Sequence, residues 1–308
     1  MIVSASYRTD IPAFYGDWFL GRVAAGVCRT VNPYNGRVQE IRLDRDSVDG
    51  ILFWTRNAAP FLGGLEQLAE AGYPFVVQTT LTGYPRALER SVVPPEASVE
   101  TLRRIARRFG PRAAVWRYDP VMLTSLTPPA WHRETFARLA RSLAGSVDEV
   151  VLSFVQVYAK TRINSDRAAA RFGFTWWDPQ AAEKRALLQE LAEIARNAGL
   201  RASLCAQPDL LGPGLAEARC IDAERLSDVA GRPIAAKTKG NRPGCRCAQA
   251  QDVGAYDTCP QGCVYCYAVR RREVAKDRYL AHDPRGDFLV PPARSRPLKS
   301  EEKQAVEA

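Results

Sequence analysis

Glu149-Val-Val-Leu-Ser-Phe-Val-Gln-Val157 decides the fold class of this chain. A near-continuous apolar run reads as a strand buried on both faces, as in a parallel sheet; a strand with one wet face would alternate. The sequence after it agrees. Pro179–Ala198 is amphipathic, with Leu187, Leu188, Leu191, Ile194 and Ala195 forming one apolar stripe. Asp178 is placed to cap its start, Pro179 fits the first turn and Gly199 ends it. A further strand is expected at Arg201–Ala206. Working outward, the same reading places strands at Ile2–Ser6, Gly50–Thr55, Pro74–Leu81 and Ala113–Tyr118. Such repeated strand–helix alternation predicts an α/β protein with a parallel sheet, here a partial (β/α) barrel.

Polar residues collect where these strands end: Arg8, Thr9 and Asp10; Thr55, Arg56 and Asn57; Arg117 and Asp119; Gln156; Cys205 and Gln207. In α/β barrels that end of the sheet carries the active site. Asp10, just before Ile11-Pro12, also reads as a helix cap. No glycine-rich dinucleotide or phosphate loop of the usual spacing follows a strand. The organisation expected is residues 1–210 for most of the barrel, 211–282 for a cysteine-rich part that completes it, and 283–308 for a strap and a disordered tail.

A chain of 308 residues, 46% hydrophobic and 25% charged, can bury a core without disulfide staples. It has no apolar run near the ~18–20 residues needed to cross a bilayer. Arg8 and Asp10 interrupt the N-terminus before a secretory signal could form. These features predict a cytoplasmic protein with no membrane partner and reduced cysteines. Lys plus Arg exceeds Asp plus Glu by 43 − 34, or +9. This charge favours anionic partners, nucleic acid or nucleotide among them, without giving specificity.

Five of the eight cysteines, Cys245, Cys247, Cys259, Cys263 and Cys266, crowd one short stretch. Cys259-Pro-Gln-Gly-Cys263-Val-Tyr-Cys266 places three thiols in one tight loop, with Gly262 letting the backbone come close. A four-iron cluster normally takes four cysteines, so three would leave one iron open. Zinc is the alternative; zinc knuckles more often present C-x-x-C pairs, and His132 and His282 lie far off in sequence. For the barrel to close on this loop, Gly254–Thr258 must act as a strand beside Ile2–Ser6. Cys205, Cys220, Cys245 and Cys247 form a second set of four, able to ligate a second cluster fully. Cys28 reads as a packing residue.

The spacing C-x-x-x-C-x-aromatic-C, with Tyr265 as the aromatic, resembles the radical S-adenosylmethionine (SAM) signature. Its place near the C-terminus resembles a circularly permuted form of that fold. ILFWTRNAAPF, VVQTTLTGY, LERSVVPP, TLRRIARRFG and VWRYDPVM resemble strands and helices of the spore photoproduct lyase branch. SASYRTDIPAFYGDWF, VNPYN, FWTRN, CID and DVGAYDTCPQGCVYCYA together resemble the domain of unknown function 1848 family, over about residues 1–290. The resemblance implies a 4Fe-4S cluster on Cys259, Cys263 and Cys266, with SAM on the open iron and an electron donor in the cytosol. It implies cofactor contacts from Tyr265 and Tyr267. The family's glycine-glycine-glutamate stretch is not recognisable, and Thr9, Asp10, Thr55 and Gln78 are the candidates for its duty. The expected activity is cleavage of SAM to a 5′-deoxyadenosyl radical, with nucleic acid or nucleotide as the substrate class. The alternatives are a non-catalytic iron–sulfur or zinc protein that scaffolds a nucleic-acid surface, and an enzyme acting on a peptide or metabolite. Arg270, Arg271, Arg272, Lys276 and Arg278 form either a phosphate-facing helix or a solvated face.

Overall fold

The computed structural model describes residues 1–292. Eight strands make one sheet: β1 (Ile2–Ala5), β2 (Gly50–Thr55), β3 (Phe75–Thr80), β4 (Ala114–Val121), β5 (Glu149–Phe154), β6 (Arg201–Leu204), β7 (Leu215–Glu217) and β8 (Ala250–Asp252). All pairings are parallel, in the spatial order β7-β6-β5-β4-β3-β2-β1-β8. The first seven strands therefore add one after another, and the last returns to lie beside the first. The two edge strands, β7 and β8, do not pair, so this is a partial α/β barrel.

The apolar runs are continuous because both faces of the sheet are covered. Every residue of β5 is buried. Val3, Phe53, Val77, Trp116 and Leu152 point to one face and join the large core with the surrounding helices. Ile2, Leu52, Val76, Val115 and Val151 point to the other, where they meet Cys205, Cys220, Ile221, Leu226, Ile234 and Cys247. The helices include α1 (Ile11–Phe14), α2 (Gly16–Ala24), α3 (Leu62–Glu70), α4 (Pro95–Phe109), α5 (Pro129–Leu143), α6 (Ala159–Phe172), α7 (Ala181–Asn197), α8 (Ala223–Ala230) and α9 (Arg272–Leu280). None of the described helices is long and apolar enough to cross a membrane.

Six expected strands are present with boundaries shifted by a few residues. Two local expectations are corrected. Helix α7 begins at Ala181, and Gln180 precedes it without a side-chain cap. Asp178 instead pairs with Lys184 at 2.6 Å, so the charge on the helix's own first turn drew it away from the backbone. Gly254–Thr258 is not a strand. The pairing with β1 is made just before it, Ile2 with Ala250 through Ser4 with Asp252. The strap's described part crosses α2, where the Trp18 indole donates to the Gly286 carbonyl at 3.0 Å. The rest of the expected tail, 293–308, lies outside the described residues.

Candidate metal centre

Asp252 ends β8 and locks it onto β1. Its buried carboxylate accepts from Ser4 Oγ at 2.5 Å, Ser6 Oγ at 2.8 Å and the backbone N–H groups of Tyr7 (3.1 Å) and Gly254 (2.9 Å). Gly254 has no room for a side chain, since a Cβ there would stand 2.0 Å from Ser6 Oγ. The chain leaving β8 is thus delivered to the C-terminal end of the sheet, where Tyr15 donates its hydroxyl to the Thr258 carbonyl at 2.7 Å.

The loop Cys259–Cys266 is then gripped from three sides. The segment after β3 runs antiparallel to it: Val264 N–H donates to Leu88 O at 3.0 Å and Ser91 N–H to Gln261 O at 3.0 Å. Gln261 Nε2 donates to Asp10 at 3.2 Å. Arg272, at the start of α9, donates to Pro260 O at 2.9 Å. Gly262 sits at φ +79°, the conformation its place in the motif requires.

Burial raises the pKa of Cys259, and the charges of Asp10, Cys266 and Cys263 add to it in that order. Burial pushes Cys263 up to about 12, against the opposing pull of the Arg56 guanidinium. The apo loop therefore keeps its thiols protonated, and a bound metal must supply the positive charge that makes thiolates. Beside Cys263 lies a buried ion pair, Arg56 with Glu89, at 2.5 Å. Glu89 also accepts from Thr82 Oγ1 at 2.6 Å and from the Tyr265 hydroxyl. Glu89 escaped sequence reasoning because nothing in Leu88-Glu89-Arg90-Ser91 marks the acid as buried; its partner Arg56 lies more than thirty residues away.

The candidate cofactor residues separate into three groups. Asp10 caps α1 through Ala13 N–H (3.2 Å), accepts from Arg56 N–H at 2.8 Å and is fully engaged. Thr55 Oγ1 accepts from Asn57 N–H at 2.8 Å beside it. These two build the strand ends that hold the loop. Thr9 Oγ1 and Gln261 Oε1 are buried without a hydrogen-bond partner. Tyr265 is buried behind the loop, edge-on to Tyr84, whereas Tyr267 is exposed and donates its hydroxyl to Tyr7 O. Gln78 stands elsewhere, on the sheet face of Val76 and Val115: its amide donates to Cys220 O and accepts from Arg117 at 2.6 Å.

That face also gathers the second set of cysteines. Cys205 Sγ lies 3.3 Å from Cys220 Sγ. Cys247 stands next to Cys220, and Cys245 next to Cys247, all as free thiols. Arg117 Nη1 donates to Cys220 Sγ at 2.9 Å, and Arg242 Nη2 approaches Cys205 Sγ at 3.6 Å. The sulfurs run as a string. Among the described residues, no three His, Cys, Asp or Glu side chains converge on one point tightly enough to hold a single ion as they stand. Neither histidine joins a cysteine set: His132 bonds Tyr118 and Met122, and His282 faces Leu289 O. Cys28 is buried in the main core, as a packing residue should be. Of the basic run, Arg272 and Arg278 are bound to backbone of the cysteine loop and its approach, and Arg270, Arg271 and Lys276 are exposed.

An open parallel α/β sheet, with a three-cysteine loop hung from the edge strand beside β1, is the class that fold and site define. Within it, the chain belongs to the family described as domain of unknown function (DUF1848), whose profile matches residues 2–268. A search of curated proteins and one of solved structures each find no match.

Proposed function

We propose that this protein is a radical SAM enzyme on a circularly permuted partial barrel. The observation that carries the reading is the pairing of β8 with β1, which hangs Cys259, Cys263 and Cys266 together at the C-terminal end of the sheet. Read in space rather than along the chain, the cysteine loop follows the first strand of the series β8-β1-β2-β3-β4-β5-β6.

The donor set fits a 4Fe-4S cluster with one open iron. Three soft thiols share one loop, and the nearest carboxylates, Asp10 and Glu89, are already engaged by hydrogen bonds and an ion pair. When bound, the cluster with SAM supplies one-electron cleavage of the sulfonium to a 5′-deoxyadenosyl radical. Cys259, Cys263 and Cys266 would ligate the irons. Tyr265 and Tyr267 would flank the SAM adenosine, with the partnerless Thr9 Oγ1 and Gln261 Oε1 as polar contacts for SAM. Arg56 lowers the electrostatic cost of thiolates at Cys263 and Cys266. Burial around Tyr84, Leu88 and Tyr265 limits water at the loop's inner side.

For the substrate, the rim beside the loop favours a nucleotide or nucleic acid. Arg8 lies over the rings of Tyr7 and Tyr256, Lys160 lies 5.2 Å over Tyr256, and Tyr158 and Tyr267 are exposed next to them. Aromatic faces with adjacent cations suit bases and phosphates. Two experiments test the reading. After anaerobic reconstitution, SAM and dithionite should yield 5′-deoxyadenosine, and Cys263→Ala should abolish it; colourless, zinc-loaded protein without SAM cleavage refutes the enzyme. RNA and DNA binding should fall steeply with salt, and salt-insensitive or absent binding removes the substrate class.

A further inference from the structure

The chain between β7 and β8 has to cross from one free edge of the sheet to the other, because these two strands are its edges. After α8 the crossing is GRPIAAKTKGNRPGCRCAQ, residues 231–249. Only Ile234, Cys247 and Ala248 of it are buried, and it contains no helix. So little apolar surface cannot by itself offset the entropy of ordering such a segment. It is nonetheless held in one place. Ala248 N–H donates to Ile221 O at 2.9 Å, and Lys239 N–H to Cys247 O at 2.9 Å.

The second cysteine set sits where that crossing begins and ends. Cys205 follows β6, Cys220 follows β7, and Cys245 and Cys247 precede β8. We infer that Cys205, Cys220, Cys245 and Cys247 bind one divalent metal ion of the zinc type, as a structural tetrathiolate site separate from the loop, which ties the crossing to the sheet face. Three observations support the site, and the first favours a single ion over the second cluster expected from sequence.

The first is spacing. A tetrahedral ion with metal–sulfur bonds of about 2.3 Å holds neighbouring sulfurs about 3.8 Å apart. Cys205 and Cys220 Sγ are 3.3 Å apart, and the string continues through sulfur contacts to Cys247 and Cys245. A cubane attaches each thiolate to a different iron and would force the four well apart. No three of these sulfurs converge as they stand, so binding would draw Cys247 and half-exposed Cys245 in toward the Cys205–Cys220 pair. The second is charge. Four thiolates and one divalent ion sum to −2, as they do on an oxidised four-iron cluster, and two guanidiniums reach these sulfurs to offset it, Arg242 and Arg117, the latter shared with Asp119. The third is hydrogen bonding to sulfur: Ile221 N–H donates to Cys247 Sγ at 3.4 Å. Such N–H···S bonds orient thiolate ligands and spread their charge. Binding converts four thiols to thiolates and releases four protons, with no change of oxidation state.

The test uses the full chain with its loop disabled by Cys259→Ala, Cys263→Ala and Cys266→Ala together, so that failure of the radical reading cannot mimic failure here. Titration with cobalt(II) should produce the intense visible bands of tetrahedral thiolate cobalt, saturating at one equivalent, and zinc(II) should bleach them one for one. Adding Cys220→Ser and Cys247→Ser should remove the bands. Should those variants fail to fold, metal analysis of the Cys259→Ala, Cys263→Ala, Cys266→Ala chain itself decides instead: about one zinc per chain is expected. Absent or octahedral cobalt spectra, bands that survive in the serine variants, or inorganic sulfide with about four irons at this site would overturn the inference.

Discussion

The two cysteine sets are assembled in opposite ways. Cys259, Cys263 and Cys266 are neighbours in sequence, and the fold needs only to present their loop. Cys205, Cys220, Cys245 and Cys247 come from three places in the chain and meet only because β6, β7 and the crossing converge. The loop is built around backbone pairing with residues 88–91 and a buried Arg56–Glu89 pair; the other set lies on the sheet face of Leu52, Val76 and Val115, among Gln78, Arg117 and Arg242. A local motif can be supported from outside, whereas a dispersed set must itself support the structure. Loss of the loop's ligands should therefore mainly remove chemistry, and loss of the dispersed ligands should mainly remove stability.

The largest effect that would break this contrast is at Glu89. Glu89→Ala leaves Arg56 buried without its partner, which should cost about 3–5 kcal/mol in urea unfolding. Iron content after reconstitution should fall with it; a change below about 1 kcal/mol would mean that the loop is supported in some other way. Acid comes next. Burial holds His132 at about 4, below its ordinary 6.5, in the aromatic cluster next to Tyr84. The unfolded chain then binds a proton that the native chain does not, so stability present above 6.5 is lost as pH falls toward 4, by up to about 1.4 kcal/mol per pH unit. Urea midpoints measured across that range should slope this way, and His132→Gln should flatten them.

A paired substitution compares the two sets directly. Gly262 and Gly244 both have positive φ, at +79° and +73°. A Cβ at Gly262 meets the flexible Arg272 side chain at 2.6 Å, while one at Gly244 meets the Pro208 ring at 2.7 Å. Gly244→Ala should cost about 2 kcal/mol and Gly262→Ala about 1, because Arg272 can swing aside at the loss of its bond to Pro260 O and the proline ring cannot. Thermal unfolding of both variants, ranked the other way, would undo the distinction. The smallest effect belongs to Cys28, buried in the main core away from both sets. Cys28→Ala should lower stability by about 1 kcal/mol and leave metal content unchanged by elemental analysis.

Much of the fold was legible because buried parallel strands advertise themselves as apolar runs. EVVLSF and PFVVQT became β5 and β3 with ends moved by a few residues, since strand ends depend on which neighbour remains to pair with. The short strands were not legible. Leu215–Glu217 and Ala250–Asp252 carry little apolar patterning and exist because a neighbouring edge offers hydrogen bonds. The same holds for the misplaced strand at Gly254–Thr258: Asp252, just before it, is the residue that ends the pairing.

The sites divide along the same line. Residue type and spacing were enough to single out Cys259, Cys263, Cys266 and Tyr265, and to pick Asp10 as a cap, because these features act within a few residues of themselves. Glu89 beside the loop, Gln78 beside Cys220 rather than the loop, and the meeting of Cys205 with Cys220 required the folded chain. A thiol or carboxylate shows its chemistry in one letter, but its neighbours across the sheet are chosen by strand order. That order depends on which strands can bury both faces together, a property of the whole chain rather than of any stretch of it.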